Sequence, residues 1–225
     1  MLALRHLAGD LVEVELVSPA SDFHYRPLQT VEPFEDDSAP RYSLSELTMS
    51  RGARHRIGSV TVVDPKSSMV WLTSGDSIDY DSLLIALGAK SQAVVPGALT
   101  FWSGGSPVHV RGVLDDLAAG LARRVVFAVP QGVTWPLPLY ELVLQTATHL
   151  EKAGIRERSL TLVTPERAAL EVFGSRASAN IEELLLSRGI ALVTEALPKS
   201  LVQGALTLEG GDSVPADRVV ALPRL

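Results

Sequence analysis

The chain has 225 residues, 46% of them hydrophobic, which is enough for one large domain or two small ones with a sizeable core. Its 20 Lys and Arg residues against 26 Asp and Glu residues give a net charge of −6. Without a basic block that could follow a phosphate backbone, nucleic-acid binding is disfavoured. The absence of cysteine excludes disulfides, thiolate nucleophiles, cysteine-ligated zinc and dithiol catalysis within these residues.

Targeting and metal signals are weak along the whole sequence. The first ten residues carry Arg5, His6 and Asp10, so they lack the unbroken apolar segment of a secretion signal. No apolar run reaches the roughly 18 residues that a membrane-spanning helix needs. We therefore expect a cytoplasmic protein without a transmembrane segment. The five histidines show no metal-ligand spacing, and no serine lies in a GxSxG context, so neither a metal site nor triad hydrolysis is predicted.

Strand and helix signals alternate irregularly in the first half of the chain. Ser43, followed three residues later by Glu46, has the spacing of a capping box and indicates a helix start. Leu83–Leu87 is an unbroken apolar run, which is typical of a strand buried on both faces. In chain order we predict a helix over 1–8, a strand over 11–17, a long loop over 20–40, a short helix over 44–50, strands over 54–63 and 68–73 in an antiparallel meander, and a buried strand over 83–87.

The second half alternates strands and helices regularly. The predicted elements are a helix over 113–122, a strand over 124–129, an amphipathic helix over 137–153, a strand over 159–164, a helix over 177–187, a strand over 190–193 and short strands within 204–221. Parallel neighbours need crossover connections, and these are usually helical. The alternation therefore predicts a parallel sheet and an α/β fold.

The two halves share a local pattern. Residues 11–19 (LVEVELVSP) and 159–166 (SLTLVTPE) both place β-branched residues before a small hydroxyl residue and a proline. Each segment follows a predicted helix that ends in glycine. This repetition predicts two related nucleotide-binding units in one chain.

Three segments carry a resemblance to a known family. They are LVSPASDFHYRPL (16–28), VTVVDPKSSMVWLTSGDSIDYDSLLIALGA (60–89) and VVFAVPQGVTWPLPLYELVL (125–144). In them the chain resembles the pyridine nucleotide-disulfide oxidoreductase superfamily, most of all the branch of sulfide:quinone reductases and type II NADH dehydrogenases. The resemblance implies an α/β fold of two Rossmann-like units with parallel sheets plus a small antiparallel meander. Residues 1–100 would form a partial FAD-binding domain, and residues 101–225 an NAD(P)-binding-like domain and the start of the return to the FAD domain.

The resemblance implies FAD-binding positions in the first half. Ser18 would stand where relatives often place an acceptor for the adenosine ribose hydroxyls, although a serine that begins a turn is an equal alternative. The main chain at Val60 would contact adenine. Ala86 and Gly88 would form a tight turn beside the cofactor, against the alternative of a glycine that merely ends a strand. Arg26 would pair with a phosphate or an anionic flavin, unless it is a solvated surface residue.

The resemblance places NAD(P) at the loop 130–136, between a strand and the start of a helix. Gly132 lies in this loop, but no GxGxxG pattern is present, and Trp135 with two prolines occupies the place of close backbone approach, which predicts weak nicotinamide binding. Glu141 would lie near the nicotinamide or flavin, or would simply complement the helix dipole. Glu166 would accept from the ribose 2′-hydroxyl and favour NAD over NADP, or would be an ordinary loop acid. No catalytic residue is assigned.

The resemblance also implies a chain that is shorter than a full member at both ends. A first strand with a GxGxxG loop would precede Met1, and a Gly-Asp segment that contacts the flavin ribityl would follow the last strand. Without the first strand, the strand over 11–17 would have an unpaired edge. We therefore expect the chain to behave as a fragment that retains little flavin.

Three functions stay open at this point. The first is an FAD-dependent, NAD(P)-linked oxidoreductase that passes hydride or electrons to a quinone or a small-molecule acceptor, with chemistry supplied by the cofactors. A mechanism through cysteine persulfides is excluded within this chain because it has no cysteine. The second is a non-catalytic nucleotide-binding or partner-interaction module derived from such a flavoprotein, and the third is a structural remnant without a ligand. A homo-oligomeric state is compatible with each.

Overall fold

The computed structural model describes residues 3, 7–35, 40–102 and 106–225. It forms two compact units, each built from two stretches of chain. The first unit comprises Met1–Tyr25 and Ala39–Gly88, and the second comprises Arg26–Ser38 and Ala89–Leu225. The helix predicted over 1–8 falls largely outside the described residues. The assignment of 1–100 to an FAD domain and 101–225 to an NAD(P) domain stays a prediction.

The first unit contains three small sheets. Its elements are β1 (Glu15–Ser18), β2 (Asp22–His24), β3 (Arg41–Ser43), α1 (Leu44–Met49), β4 (Arg54–Ile57), β5 (Val60–Asp64), β6 (Met69–Leu72) and β7 (Ser77–Asp79). β1 pairs in parallel with β4, β2 pairs antiparallel with β3, and β5, β6 and β7 form an antiparallel meander. The predicted meander is confirmed, and among the described residues β1 has only β4 beside it.

The second unit is built around a five-stranded parallel sheet. Its elements are β8 (Leu99–Thr100), α2 (Ser106–Ala118), β9 (Arg124–Ala128), α3 (Leu137–Lys152), β10 (Ser159–Val163), α4 (Ser175–Ser187), β11 (Ile190–Val193), β12 (Pro198–Val202), β13 (Ala205–Leu208), β14 (Ser213–Pro215) and β15 (Arg218–Ala221). The sheet has the order β11-β10-β9-β15-β8, and β12, β13 and β14 form an antiparallel sheet. The predicted α/β class is confirmed.

The hydrophobic core lies in the second unit. β9 and β10 are buried from their second residue onward, as expected for central strands of a parallel sheet that is covered on both faces. On α3, apolar residues recur at helical spacing and face the sheet; they are Leu139, Leu142, Val143, Ala147 and Leu150, each at most 1% exposed. Full burial of one such leucine contributes about 1.5–3 kcal/mol to folding. The helix ends before Gly154, which has φ +72°.

The buried strand predicted over Leu83–Leu87 is wrong. This segment has no regular secondary structure, and its side chains point to solvent, with Leu84 76% and Leu87 86% exposed. A strand forms only where a neighbour completes its hydrogen bonds, and no described strand pairs with this segment. An apolar run predicts burial without identifying the partner that would bury it.

Other predictions of the first half need smaller corrections. β1 begins at Glu15 rather than residue 11, because Gly9–Leu11 form a 3-10 helix. The strand predicted over 54–63 is interrupted at Gly58, since β4 pairs with β1 whereas β5 pairs with β6. The loop predicted over 20–40 contains β2 and two 3-10 helices, Arg26–Thr30 and Glu32–Phe34.

In the second half most predicted elements are confirmed within two residues. The exceptions are α2, which spans Ser106–Ala118 rather than 113–122, and β8 and β12, which were not predicted. The capping box is also confirmed on its serine side, because Ser43 Oγ accepts from the N–H of Glu46 at 3.3 Å. None of the described helices is long and apolar enough to cross a membrane.

Candidate functional site

The candidate site lies at the carboxyl ends of β9, β10 and β15 in the second unit. Ligands of open parallel sheets bind outside this edge, in the crevice between the loops that leave the strands. Residues 129–136 follow β9, residues 164–170 follow β10, and residues 222–225 follow β15. β9 is the neighbour of both other strands, so the three loops emerge side by side.

Gly132 forms the turn of the loop between β9 and α3. It has φ +84°, in the left-handed region that glycine tolerates best. A Cβ added to Gly132 would lie 3.7 Å from Cδ of Arg224. The backbone of Arg224 exchanges hydrogen bonds of 2.8 and 3.0 Å with Gln92, and its guanidinium donates to Gln92 Oε1 at 3.2 Å. A cationic side chain therefore borders the glycine turn.

The start of α3 offers few free amides. Pro136 caps the helix and Pro138 lies in its first turn, and neither has an N–H. The N–H of Leu139 donates to the carbonyl of Pro136 at 2.9 Å. Amides at a helix start are what usually hold a dinucleotide pyrophosphate. The residues present therefore fit a pyrophosphate poorly at the helix itself, and weak nicotinamide binding stays a prediction.

An aromatic pair joins two of the loops. Trp135 precedes α3, and Phe173 lies in the 3-10 helix Glu171–Phe173 after β10. Their ring centroids are 5.4 Å apart with an interplanar angle of 71°, an edge-to-face contact. Both side chains are about half exposed, at 49% and 48%. They therefore present an apolar surface to solvent at the edge of the crevice.

Glu166 is held by two buried hydroxyl groups. The hydroxyls of Tyr140 and Thr164 both donate to its Oε2 at 2.8 Å, and Tyr140 and Thr164 are 1% and 0% exposed. Burial, and then the bond to Glu166, raises the pKa of Tyr140, so the phenol remains a donor at neutral pH. The main chain is also fixed, because Glu195 donates to the carbonyl of Glu166 at 2.9 Å. No described residue donates to Oε1.

Glu141 has a different partner. Its Oε2 accepts from the hydroxyl of Thr30 at 3.2 Å, and the same hydroxyl also lies 2.9 Å from the carbonyl of Pro27. Thr30 is 2% exposed, whereas Glu141 itself is exposed. Glu141 thus ties α3 to the 3-10 helix Arg26–Thr30, and Arg26 begins that helix. The structure places Glu141 and Glu166 in separate hydrogen-bond networks.

The FAD-site candidates of the first unit fall into two groups. Ser18 ends β1, its carbonyl accepts from Gly58 at 3.0 Å, and Val60 begins β5 two residues later. Ser18 and the chain leading to Val60 are therefore neighbours. The hydroxyl of Ser18 accepts from the N–H of Ala20 at 3.1 Å, which is the turn geometry of the alternative interpretation.

Ala86 and Gly88 belong to the exposed segment after β7. Gly88 has φ +67°, which agrees with a tight turn, but a Cβ there would meet no atom within 4 Å. The roles of Ala86 and Gly88 beside a cofactor therefore stay predictions. Across the part of the chain that the structure describes, no group of three or more acidic or histidine side chains is placed to hold a metal ion.

A separate cleft lies at the opposite edge of the sheet. It has a volume of about 780 Å³ and is lined at the amino ends of β9, β10 and β15, by residues including Arg124, Arg158 and Asp217. Asp217 accepts from Arg124 Nη2 at 2.6 Å and from the N–H groups of Arg123 and Arg124 at 2.9 Å. These bonds hold the pKa of Asp217 well below its usual range, the Arg124 side chain contributing most. Because they join β15 to β9, we interpret this cluster as structural.

Comparison with known proteins agrees with the sequence resemblance. No protein-family model matches the chain. It is 28% identical over 211 residues to the sulfide-quinone reductase of Aquifex aeolicus, covering 88% of this chain and 48% of the relative. It is also 28% identical to an NADH dehydrogenase-like protein of Mycobacterium tuberculosis, covering 96% of this chain and 55% of the relative. The chain thus spans about half the length of the curated relatives it matches.

A solved structure shows the same fold. The X-ray structure of the sulfide:quinone oxidoreductase from Aquifex aeolicus superposes with a TM-score of 0.86 at 24% identity, over 98% of this chain and 54% of that one. The relatives are therefore sulfide-quinone reductase and NADH dehydrogenase-like proteins, and the branch predicted from the sequence is confirmed.

Proposed function

We propose that the protein is an FAD-dependent, NAD(P)-linked oxidoreductase that passes hydride or electrons to a quinone or another small acceptor. The observation that carries this proposal is the similarity to a sulfide-quinone reductase and an NADH dehydrogenase-like protein over 88% and 96% of the chain. Sulfide oxidation through a cysteine persulfide has no nucleophile in these 225 residues. Sulfide would be the electron donor in that reaction, so NAD(P)H remains as the proposed donor, and the similarity to a sulfide-quinone reductase supports a quinone as the acceptor.

The residues of the crevice would hold a nicotinamide dinucleotide. Glu166 offers Oε1 to the ribose hydroxyls, and Arg224 offers a guanidinium beside the turn at Gly132, where it would partly replace the amides lost at Pro136 and Pro138. When bound, the cofactors supply the hydride and electron chemistry. The chain's own residues bind and orient, and Trp135 with Phe173 limits the approach to the crevice.

The flavin site is incomplete in the described residues. Ser18 uses its hydroxyl within its own turn, and the segment that contains Ala86 and Gly88 is exposed. We propose that FAD is held together with polypeptide that corresponds to the half of the relatives outside this match. On this basis the 225-residue chain alone retains little flavin.

The test of the enzymatic function is NADH-dependent reduction of a short-chain quinone. The 225 residues are expressed both alone and together with any coding sequence that flanks them, and each purified protein is incubated with FAD. We expect flavin absorbance and turnover in the longer polypeptide and neither in the 225 residues alone. A longer polypeptide that binds FAD but oxidises neither NADH nor NADPH would contradict the proposal.

A second candidate is a non-catalytic nucleotide-binding or partner-interaction module. It is favoured by Pro136 and Pro138, which remove amides from the usual phosphate position. Tryptophan fluorescence discriminates the two, since Trp135 borders the crevice. Micromolar quenching by NADH supports a nucleotide site, and silence at millimolar NADH supports the interaction module. Trp135→Phe is the control, because it leaves Trp71 and Trp102 as the remaining fluorophores.

A further inference from the structure

One carboxylate in the crevice accepts hydrogen bonds from two buried hydroxyl groups. Tyr140 and Thr164 both donate to the same oxygen of Glu166, so that oxygen is saturated while the other is open to a donor from a ligand. The two donors come from different elements, the first turn of α3 and the end of β10. The position of Glu166 therefore depends on side chains that lie beneath it and do not reach solvent.

We propose that Tyr140 is a positioning residue that presents Glu166 to a pair of ribose hydroxyls and so selects NADH over NADPH. This inference rests on the proposed nucleotide site. A vicinal diol offers two donors to a fixed carboxylate, whereas a 2′-phosphate brings negative charge against it and is largely deprotonated at neutral pH. The selectivity for NADH over NADPH thus follows from the negative charge of Glu166 and from the fixed direction of its Oε1.

The phenol hydroxyl is the feature that packing alone would not require. A phenylalanine would fill the same buried space beneath Glu166, because the two side chains differ only by the hydroxyl. The hydroxyl is 2.8 Å from the carboxylate, a distance typical of a bond to a charged acceptor. Tyr140 therefore restricts the rotamers of Glu166 before a ligand arrives, which lowers the entropy lost on binding.

The experiment measures dissociation constants for NADH and for NADPH by titration calorimetry on the 225-residue chain at one salt concentration. The variants are Tyr140→Phe, Thr164→Val and Glu166→Gln. Thr146→Val is the matched control, because it also removes a buried hydroxyl of α3, one that donates to Leu142 at 2.8 Å on the same helix. Thr164→Val removes the second donor and keeps the test available if Tyr140→Phe fails to fold.

We expect the wild-type chain to bind NADH more tightly than NADPH. Tyr140→Phe should lower the affinity for NADH about five- to tenfold, which lies within the usual net contribution of one hydrogen bond, and should change the affinity for NADPH less than twofold. Thr164→Val should act in the same direction. Glu166→Gln should raise the affinity for NADPH relative to that for NADH, because the negative charge that repels the 2′-phosphate is removed. Thr146→Val should leave the ratio of the two constants unchanged.

Two outcomes would overturn the inference in different ways. If wild type binds NADH but Tyr140→Phe and Thr164→Val leave the ratio of constants unchanged, or lower both affinities equally, Tyr140 has only a packing role and the nucleotide site itself survives. If wild type binds neither nucleotide at millimolar concentration, the proposed nucleotide site fails and the inference fails with it.

Discussion

The two units differ in how much of their apolar surface they bury. Among the described residues, only three of the buried apolar side chains, Ala53, Val70 and Leu72, belong to the first unit, and both hydrophobic clusters lie in the second. The first unit has no shortage of apolar residues, since Leu84, Ile85 and many others are exposed there. What it lacks among its described residues is a sheet large enough to cover them, because its only parallel pairing is β1 with β4.

This difference shows that burial depends on partners as much as on composition. In the second unit each strand of the parallel sheet has its neighbours within the same stretch of chain, and the helices between them cover the sheet. The described part of the first unit also contains apolar runs, but no large parallel sheet with covering helices. Substitutions in the two units should therefore have unequal effects on the free energy of unfolding.

The largest expected difference concerns two leucines. Leu162→Ala in β10 removes a side chain that is 0% exposed in the main cluster, and should lower the free energy of unfolding by about 3 kcal/mol. Leu84→Ala in the first unit changes a side chain that is 76% exposed, and should alter the free energy of unfolding by less than about 0.5 kcal/mol. Urea unfolding with a common m-value measures both. Equal losses would show that Leu84 is buried in solution.

A smaller difference is expected for two glycines with positive φ. Gly97 in the second unit has φ +81°, and a Cβ there would lie 2.9 Å from the carbonyl oxygen of Leu201. Gly75, in the turn between β6 and β7, has φ +91° and open space around it. Gly97→Ala should lower the free energy of unfolding by about 2–3 kcal/mol and Gly75→Ala by about 1 kcal/mol. Both substitutions place a Cβ on a residue with positive φ, but only the one at Gly97 also forces the backbone of Leu201 to move. Thermal unfolding of the two variants checks the order.

The smallest difference concerns two ion pairs. The pKa of Asp217 is lowered in the folded state, first by Arg124 and then by the Arg123 amide, so its contribution to stability is present above the unfolded pKa of about 3.9 and is lost as pH falls through the folded pKa. Asp217→Asn should cost about 1 kcal/mol at pH 7. Glu13→Gln breaks an exposed pair with Arg54 and should cost less than about 0.5 kcal/mol.

The pH dependence separates these two variants further. The loss caused by Asp217→Asn should shrink as the solution is acidified below pH 4, because wild type then loses the same interaction. Urea midpoints of wild type and variant at several pH values measure this convergence. A constant difference down to the lowest pH at which the protein folds would show that the pairing of Asp217 with Arg124 is not its source.

The predictable part of the fold is the part whose signals are local. α3, α4, β9, β10 and β11 follow from apolar spacing and from glycines at helix ends, and their partners lie in the adjoining sequence. The strand predicted over Leu83–Leu87 fails because hydrophobicity does not specify what covers it. The break at Gly58 also escapes prediction, since periodicity does not reveal that a strand changes sheets.

The site shows the same division. Gly132 and Glu166 are predicted from the sequence because they follow predicted strands, and the structure places both at the carboxyl edge of the sheet; their role in ligand binding stays a prediction. Tyr140 and Arg224 are not predicted as site residues, because each meets the crevice through a contact distant in the chain. Thr164 is not predicted either, because the spacing to Glu166 does not show that the two side chains meet. A tyrosine in a first helical turn carries no signal of the carboxylate above it until β10 is placed beside β9.

The route of the backbone constrains how the protein can be divided. Residues 26–35 belong with the second unit, where Arg111 donates to the carbonyl of Glu32 at 3.1 Å and the ring of Phe34 lies 5.8 Å from that of His149. If the chain were divided after Gly88, the carboxyl-terminal fragment would lack residues 26–35. The surfaces of α2 and α3 that these residues contact would then be exposed to solvent. Any exchange of this unit between homologous proteins would have to transplant both stretches, or a permuted chain that joins them.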